Sequence, residues 1–295
     1  MRRTPLTPLI AALAAAAPAA PLLGAVAVGG VASLAISGCE NEEPKTALSY
    51  TEDAKRAYDA AMEQYNAHNW IEAQTALREV KRKYSYSKYA RMAELRLADS
   101  DYEQEKFSDA IREYKDFIHA HRSDTEDVAY ARSRIADSTF KEIPDSALIG
   151  AVEERDQASV VDAYKELTSY LADFPDAKET PHVRDLLVQV IARLVRHELY
   201  VARFYLGRNN YEAAVARIQY ALHNYGPGGA QVRAGIAADS DLDAEALLLL
   251  GQTYLQMHKW PEARSAFQTI VQAHGTSPIV VQARDYLQHL DQQGV

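Results

Sequence analysis

The chain has 295 residues, of which 47% are hydrophobic and 25% charged, and its formal charge is −9. That length can bury a sizeable core as one solenoid or two modest domains. An acidic chain lacks the overall basic footprint of a nucleic-acid binder, although a local basic patch is still compatible with it. The single cysteine excludes an internal disulfide.

Arg2 and Arg3 open the chain, and no charged residue follows from Leu9 to Ile36. The run is long enough to span a membrane, but Pro18, Pro21, Gly29 and Gly30 interrupt it. It ends in Ile36-Ser37-Gly38-Cys39, small residues directly before the sole cysteine. Small residues before a cut mark a signal peptide, and the four together resemble a bacterial lipobox. That resemblance implies cleavage before Cys39 and acyl chains on it. The other reading is an uncleaved anchor helix. Both put the body at a membrane surface. Without its first 38 residues the chain loses only Arg2 and Arg3, so its charge becomes 30 − 41 = −11. Glu40 to Leu48 is polar with one proline and reads as a flexible tether.

A helix is expected from Ser49-Tyr-Thr-Glu52, which has capping-box spacing, with Ala57, Ala61 and Tyr65 on its inner face. A turn over 66–69 leads to Trp70 and a second helix ending near Tyr84. The next pair runs from about Lys88 to His121, with Leu95, Ala98 and Tyr102 facing inward. Ser123-Asp-Thr-Glu126 caps a third pair, whose first helix holds Val128, Ala131 and Ile135. Thr180-Pro181 opens the fourth, and its long apolar first helix ends where Gly207 is free to close it in a left-handed conformation. The fifth starts near 239–243 and includes Leu247 to Leu250 and Tyr254; Ser277-Pro278 caps a last helix to about Leu290.

The second helix of each pair repeats one pattern. Tyr211 is followed by Ala214, Ile218, Ala221, Leu222 and Tyr225, all on one helical face. Ala73, Ala110, Ala163 and Ala263 sit in the same frame, behind Trp70, Phe107, Val160 and Trp260. Alanines allow close helix approach and the rings fill the gaps between pairs. Such pairs cannot bury their own faces alone, so several must stack. The expected fold is an all-α helix-turn-helix solenoid of five repeats plus a C-terminal helix. It divides into a signal peptide (1–38), a lipid tether (39–48), repeats one to three (49–175), and repeats four and five with the terminal helix (176–295).

The repeats resemble tetratricopeptide repeats, but the spacings between successive frame alanines are 37, 53, 51 and 49 residues, against a usual period of about 34. Irregular repeats behind a lipoprotein signal resemble the BamD family, the lipoproteins of the outer-membrane β-barrel assembly machine of Gram-negative bacteria. Asn69-Trp70 with Ala73 is similar to that family's first-repeat turn. Asp145-Ser-Ala-Leu148, Glu154-Arg-Asp156 and Ala163-Tyr164 are similar to its third-repeat loop. Tyr205 with Tyr211, Ala214, Val215 and Arg217 is similar to its fourth repeat. The chain departs from the family in having Ser85 after Tyr84 and no proline near Arg122.

The resemblance implies a non-catalytic scaffold at the outer membrane, facing the periplasm, with no cofactor. Its partners would be the POTRA region of the barrel-assembly subunit, unfolded outer-membrane proteins and accessory assembly lipoproteins. Arg217 and Tyr211 would lie at the docking surface. Tyr84, Tyr86, Tyr89 and Tyr102 are candidates to line a peptide groove, or else to fill the core. A generic repeat lipoprotein serving other envelope or cell-wall machinery is the alternative.

Catalytic and metal motifs are not met. His119 and His121 are two apart and point to different helix faces. His197-Glu198 has Val201 where a zinc motif needs a second histidine. Asp239, Asp241 and Asp243 begin like a calcium loop, but Ala244 and Leu250 occupy its glycine and glutamate positions. Gly226 to Gly229 lacks the Lys-Ser/Thr of a phosphate loop.

Overall fold

The structure is a computed structural model and describes residues 46–144, 156–226 and 240–295. The signal peptide, Cys39, the tether up to Lys45, Asp145 to Leu148, Glu154-Arg155, Pro227 to Gly229 and Asp239 lie outside those residues. The described residues form eleven helices and no strand. They fall into pairs: α1 (Ala47–Asn66) with α2 (Trp70–Lys83), α3 (Lys88–Glu103) with α4 (Phe107–Ala120), and α5 (Thr125–Lys141) with α6 (Ala158–Asp173). Then come α7 (Thr180–Leu206) with α8 (Tyr211–Asn224), α9 (Ser240–Gln256) with α10 (Trp260–Ala273), and the terminal α11 (Ile279–Gln293). Successive helices pack in chain order, and first helices of neighbouring pairs also meet, as in α1 with α3, α5 with α7 and α7 with α9. This is the solenoid expected from the sequence.

The alanine frame is its packing core. Ala73, Ala110, Ala163, Ala214 and Ala263 are all fully buried, as are Leu77, Tyr114, Leu167, Ile218 and Phe267 four residues after each. An alanine where two helices cross, followed one turn on by a large side chain, interlocks adjacent helices without voids. The second helices α2, α4, α8 and α10 are each 14 residues long. The uneven spacing arises outside them: in the link over 142–157, in the 27 residues of α7, and in the link over 225–239.

The turn inside a repeat has one geometry in four of the pairs. His68, Glu105, Asn209 and His258 have φ between 55° and 59°, each two residues before the ring that opens the second helix. The next N–H in each case (Asn69, Lys106, Asn210, Lys259) donates back to a carbonyl five residues earlier, at 2.9–3.0 Å. These bonds satisfy carbonyls that the helix end leaves unpaired. The left-handed position was expected at Gly207. Gly207 is right-handed, at φ −62°, and Asn209 takes that role. Asparagine tolerates the conformation because its short polar side chain bonds locally.

Caps differ from expectation in detail. Helix α1 begins two residues early, because the Thr46 side chain accepts from Ser49 N–H and so supplies the cap. Its deepest residues are Ala54, Tyr58 and Ala61, whereas Ala57 and Tyr65 are half-buried. Asp124 rather than Ser123 caps α5, without a side-chain bond. Thr180 is already helical, and its hydroxyl donates to Phe174 O at 2.7 Å, tying α7 to the end of α6. Two of the described glycines leave no room for a side chain: a Cβ on Gly226 would lie 2.5 Å from Leu222 O, and one on Gly251 would lie 2.4 Å from the Phe267 ring, itself stacked on Tyr286 at 4.8 Å.

Candidate partner-binding surfaces

Helix α8 starts at Tyr211 because Asn210 caps it, its side chain accepting from Ala213 N–H at 3.2 Å. Tyr211 is half-buried, and its hydroxyl donates to Asn209 Oδ1 at 3.2 Å. Arg217 is six residues further on, about 120° around the helix from Tyr211. The two candidate docking residues are therefore not on one face. Arg217 Nη1 donates to Glu198 Oε2 of α7 at 3.3 Å, with 45% of the arginine side chain exposed and 10% of the glutamate. So Arg217 neutralises a nearly buried carboxylate and still presents part of its guanidinium to solvent. At the C-terminal end of α8, Tyr225 packs edge to face on Tyr164 and on Tyr220, at 5.6 and 5.9 Å. Burial, with hydrogen bonding to Tyr220, pushes the Tyr225 hydroxyl far above the ordinary tyrosine range.

The four groove candidates in repeats one and two are dispersed. Tyr84 and Tyr89 are 6% and 9% exposed and belong to the core shared by α1, α2 and α3. Tyr102 is half-buried; its hydroxyl donates to Asp137 Oδ2 at 2.8 Å, and the Arg134 guanidinium stacks 3.6 Å from its ring. Tyr86 alone projects fully, at 97% exposure.

Around Tyr102 lies a polar core that the repeat frame does not announce. Asp99 is 1% exposed on α3. Its carboxylate accepts from Tyr114 Oη, from Tyr130 Oη at 2.9 Å and from Arg96 Nη1 at 2.5 Å, with Arg134 Nε 3.6 Å away. Arg134 also reaches Glu103 and Asp137, at 3.5 and 3.6 Å, and His182 of α7 lies 3.6 Å from Asp137. Three hydroxyls, two guanidiniums and two buried carboxylates thus tie α3, α4 and α5 together. Burial raises the pKa of Tyr114 and Tyr130, and the charge of Asp99 adds to it. Burial also pushes Tyr65, on the neighbouring α1, up to about 12. For Arg96 and Arg134 burial acts against the charge, but the surrounding anions and hydroxyls outweigh it and hold both firmly protonated. The sequence does carry a trace of this network: Arg96 with Asp99, and Arg134 with Asp137, are i,i+3 pairs within otherwise apolar inner stripes.

A fully paired network of this kind rigidifies and fixes register. Its acids and bases neutralise one another, and the tyrosines are held as neutral donors. Among the described residues no helix is long and apolar enough to cross a membrane.

Residues 51–238 match the model of the YfiO family, described as an outer membrane lipoprotein. The outer membrane protein assembly factor BamD of Caulobacter vibrioides is 25% identical over 203 residues, 68% of this chain and 64% of that protein. The match therefore spans just under two thirds of that relative. The BamD of Neisseria meningitidis serogroup A is 21% identical over 65% of this chain and 74% of its own length. The solved TPR2AB-domain–pHSP90 complex of yeast Sti1 aligns over 82% of this chain and 85% of that one, at TM-score 0.41 and 12% identity.

Proposed function

The chain belongs to the YfiO family of outer membrane lipoproteins, and from that we propose that it is a non-catalytic scaffold that assists the folding and insertion of outer-membrane β-barrel proteins. The family match over 51–238, which takes in repeats one to four, carries this reading. On it, Cys39 bears the lipid that holds the protein at the outer membrane, with the solenoid in the periplasm. Repeats one to three (49–175) receive unfolded barrel proteins. Repeats four and five (176–295) dock the POTRA region of the barrel-assembly subunit, and accessory assembly lipoproteins join the complex.

Arg217 is the charge proposed for docking. Its half-exposed guanidinium on α8 supports that role, and its bond to Glu198 gives it a structural role as well. The test must separate the two. A soluble body of residues 40–295 is used to capture the POTRA subunit, as wild type, Arg217→Gln and Glu198→Gln. Both variants break the ion pair, but only the first removes the exposed cation. Loss of capture with Arg217→Gln alone supports docking through Arg217. Equal weakening by both assigns the residue to holding α7 against α8. No capture by the wild type favours the alternative, a scaffold for other envelope machinery.

A further inference from the structure

We propose that the corner between the end of α2 and the start of α1 is a contact surface for an anionic phospholipid leaflet. Lys81-Arg82-Lys83-Tyr84-Ser85-Tyr86-Ser87-Lys88 carries four cations and no carboxylate, in a chain whose net charge is −9. The local sign is thus opposite to that of the body. Lys83 and Lys88 form no ion pair among the described residues; they lie 5.5 Å from the Tyr84 ring and 5.2 Å from the Tyr89 ring. Arg82 shares its charge with Glu79 at 2.6 Å, and Lys81 is 3.6 Å from Glu94. Two of the four cations therefore keep their full field.

The second ingredient is aromatic. Tyr86 is 97% exposed at the rim of a shallow depression lined by Ala47, Tyr50, Thr51, Lys83 and Ser85. Tyr50 packs edge to face on Tyr84 at 5.4 Å and stays half-buried. Tyrosine has an apolar ring and a wet hydroxyl, which suits it to the headgroup level of a bilayer. Lysines beside it attract lipid phosphates.

The third is position. Ala47, the first residue of α1, lines this same depression. It lies eight positions after Cys39, a span of roughly 28 Å at full extension. If Cys39 is acylated, the corner is held within that distance of the leaflet. Repeat one would then lie against the membrane with α2 ending at the headgroups. The proposal goes beyond the assembly role and draws on the lipid-anchor reading only for this distance.

The test uses residues 45–295, which form one compact unit containing all eleven helices of the described residues. Leaving out the N-terminus removes acylation as a cause of binding, so failure here leaves the anchor reading intact. Sedimentation with vesicles of phosphatidylcholine is compared with vesicles containing about one third phosphatidylglycerol. The expected result is retention on the anionic vesicles only, lost in about 0.5 M salt. Lys83→Gln and Lys88→Gln should each weaken retention about fivefold, and Tyr86→Ser should weaken it further. These side chains are exposed, so melting should be unchanged. Lys165→Gln, at an exposed pair with Asp162 on α6, should bind like the wild type. Equal retention on both vesicles, or equal loss with Lys165→Gln, overturns the proposal. So does competition by inorganic phosphate at millimolar concentration, which would indicate a small-anion site instead.

Discussion

Replacing Asp99 by asparagine probes the polar core with almost no change of volume. Asp99 is 1% exposed and is the shared acceptor for Tyr114, Tyr130 and Arg96, with Arg134 3.6 Å away. An asparagine oxygen can keep the tyrosine bonds. Its NH₂ group, however, would face the Arg96 guanidinium, donor against donor, and Arg96 would lose its ion-pair partner, while Arg134 keeps Glu103 and Asp137. Breaking one partner of a buried ion pair costs about 3–5 kcal/mol, so a loss of about 3–4 kcal/mol is expected. For a body of this size that corresponds to a fall in Tm of roughly 6–16 °C. In a solenoid, stability is summed from neighbouring repeats, so the damage should be local. Hydrogen exchange should accelerate in α3, α4 and α5 and hardly change in α9 to α11. Combining Asp99→Asn with Arg96→Met should cost less than the sum, because the stranded cation is gone. A loss under about 1 kcal/mol, or uniform exchange throughout the chain, would refute the network as the element that joins repeats two and three.

Four further outcomes are expected. Ala163→Arg, at a fully buried contact of α6, should cost about 3 kcal/mol or more by overpacking and an unpaired charge, read by denaturant melting. Gly251→Ala forces a methyl to within 2.4 Å of the pinned Phe267 ring and should cost about 1–3 kcal/mol. Glu105→Gly, at exposed φ 59°, should raise stability by about 0.5–1 kcal/mol by relieving the left-handed strain; a lower Tm would contradict the turn geometry. His274 is buried, and burial lowers its pKa against a weaker opposing pull from Asp241. Its folded pKa is depressed, so the stability it contributes is present above about 6.5 and is lost as pH falls below that. His274→Phe should flatten the fall in Tm between pH 7.5 and 5.5 and leave the value at pH 7.5 little changed.

The sequence by itself determined the repeat. The alanine and the bulky residue four positions on are dictated by how closely two helices approach, so every such pair is legible and every one is buried. Element bounds for α2, α4, α8 and α10 follow from the opening ring, which local packing fixes against the preceding helix, as with Tyr65 on Trp70 and Tyr102 on Phe107. The left-handed turn residue was not legible, because the back-bonded geometry selects a position two before the ring and does not demand glycine there. Only the tertiary structure decided the rest. Tyr84, Tyr86, Tyr89 and Tyr102 are alike in sequence, yet two are core, one is bonded to Asp137 and one is bare. Which of them meets solvent depends on what the next repeat covers, and that is set by helix stacking. Likewise Arg217 reads as a surface charge until α7 brings Glu198 beneath it. The acids and bases of α3 and α5 read as solvated pairs until their helices stack, remove the water and leave each charge with no partner but the others.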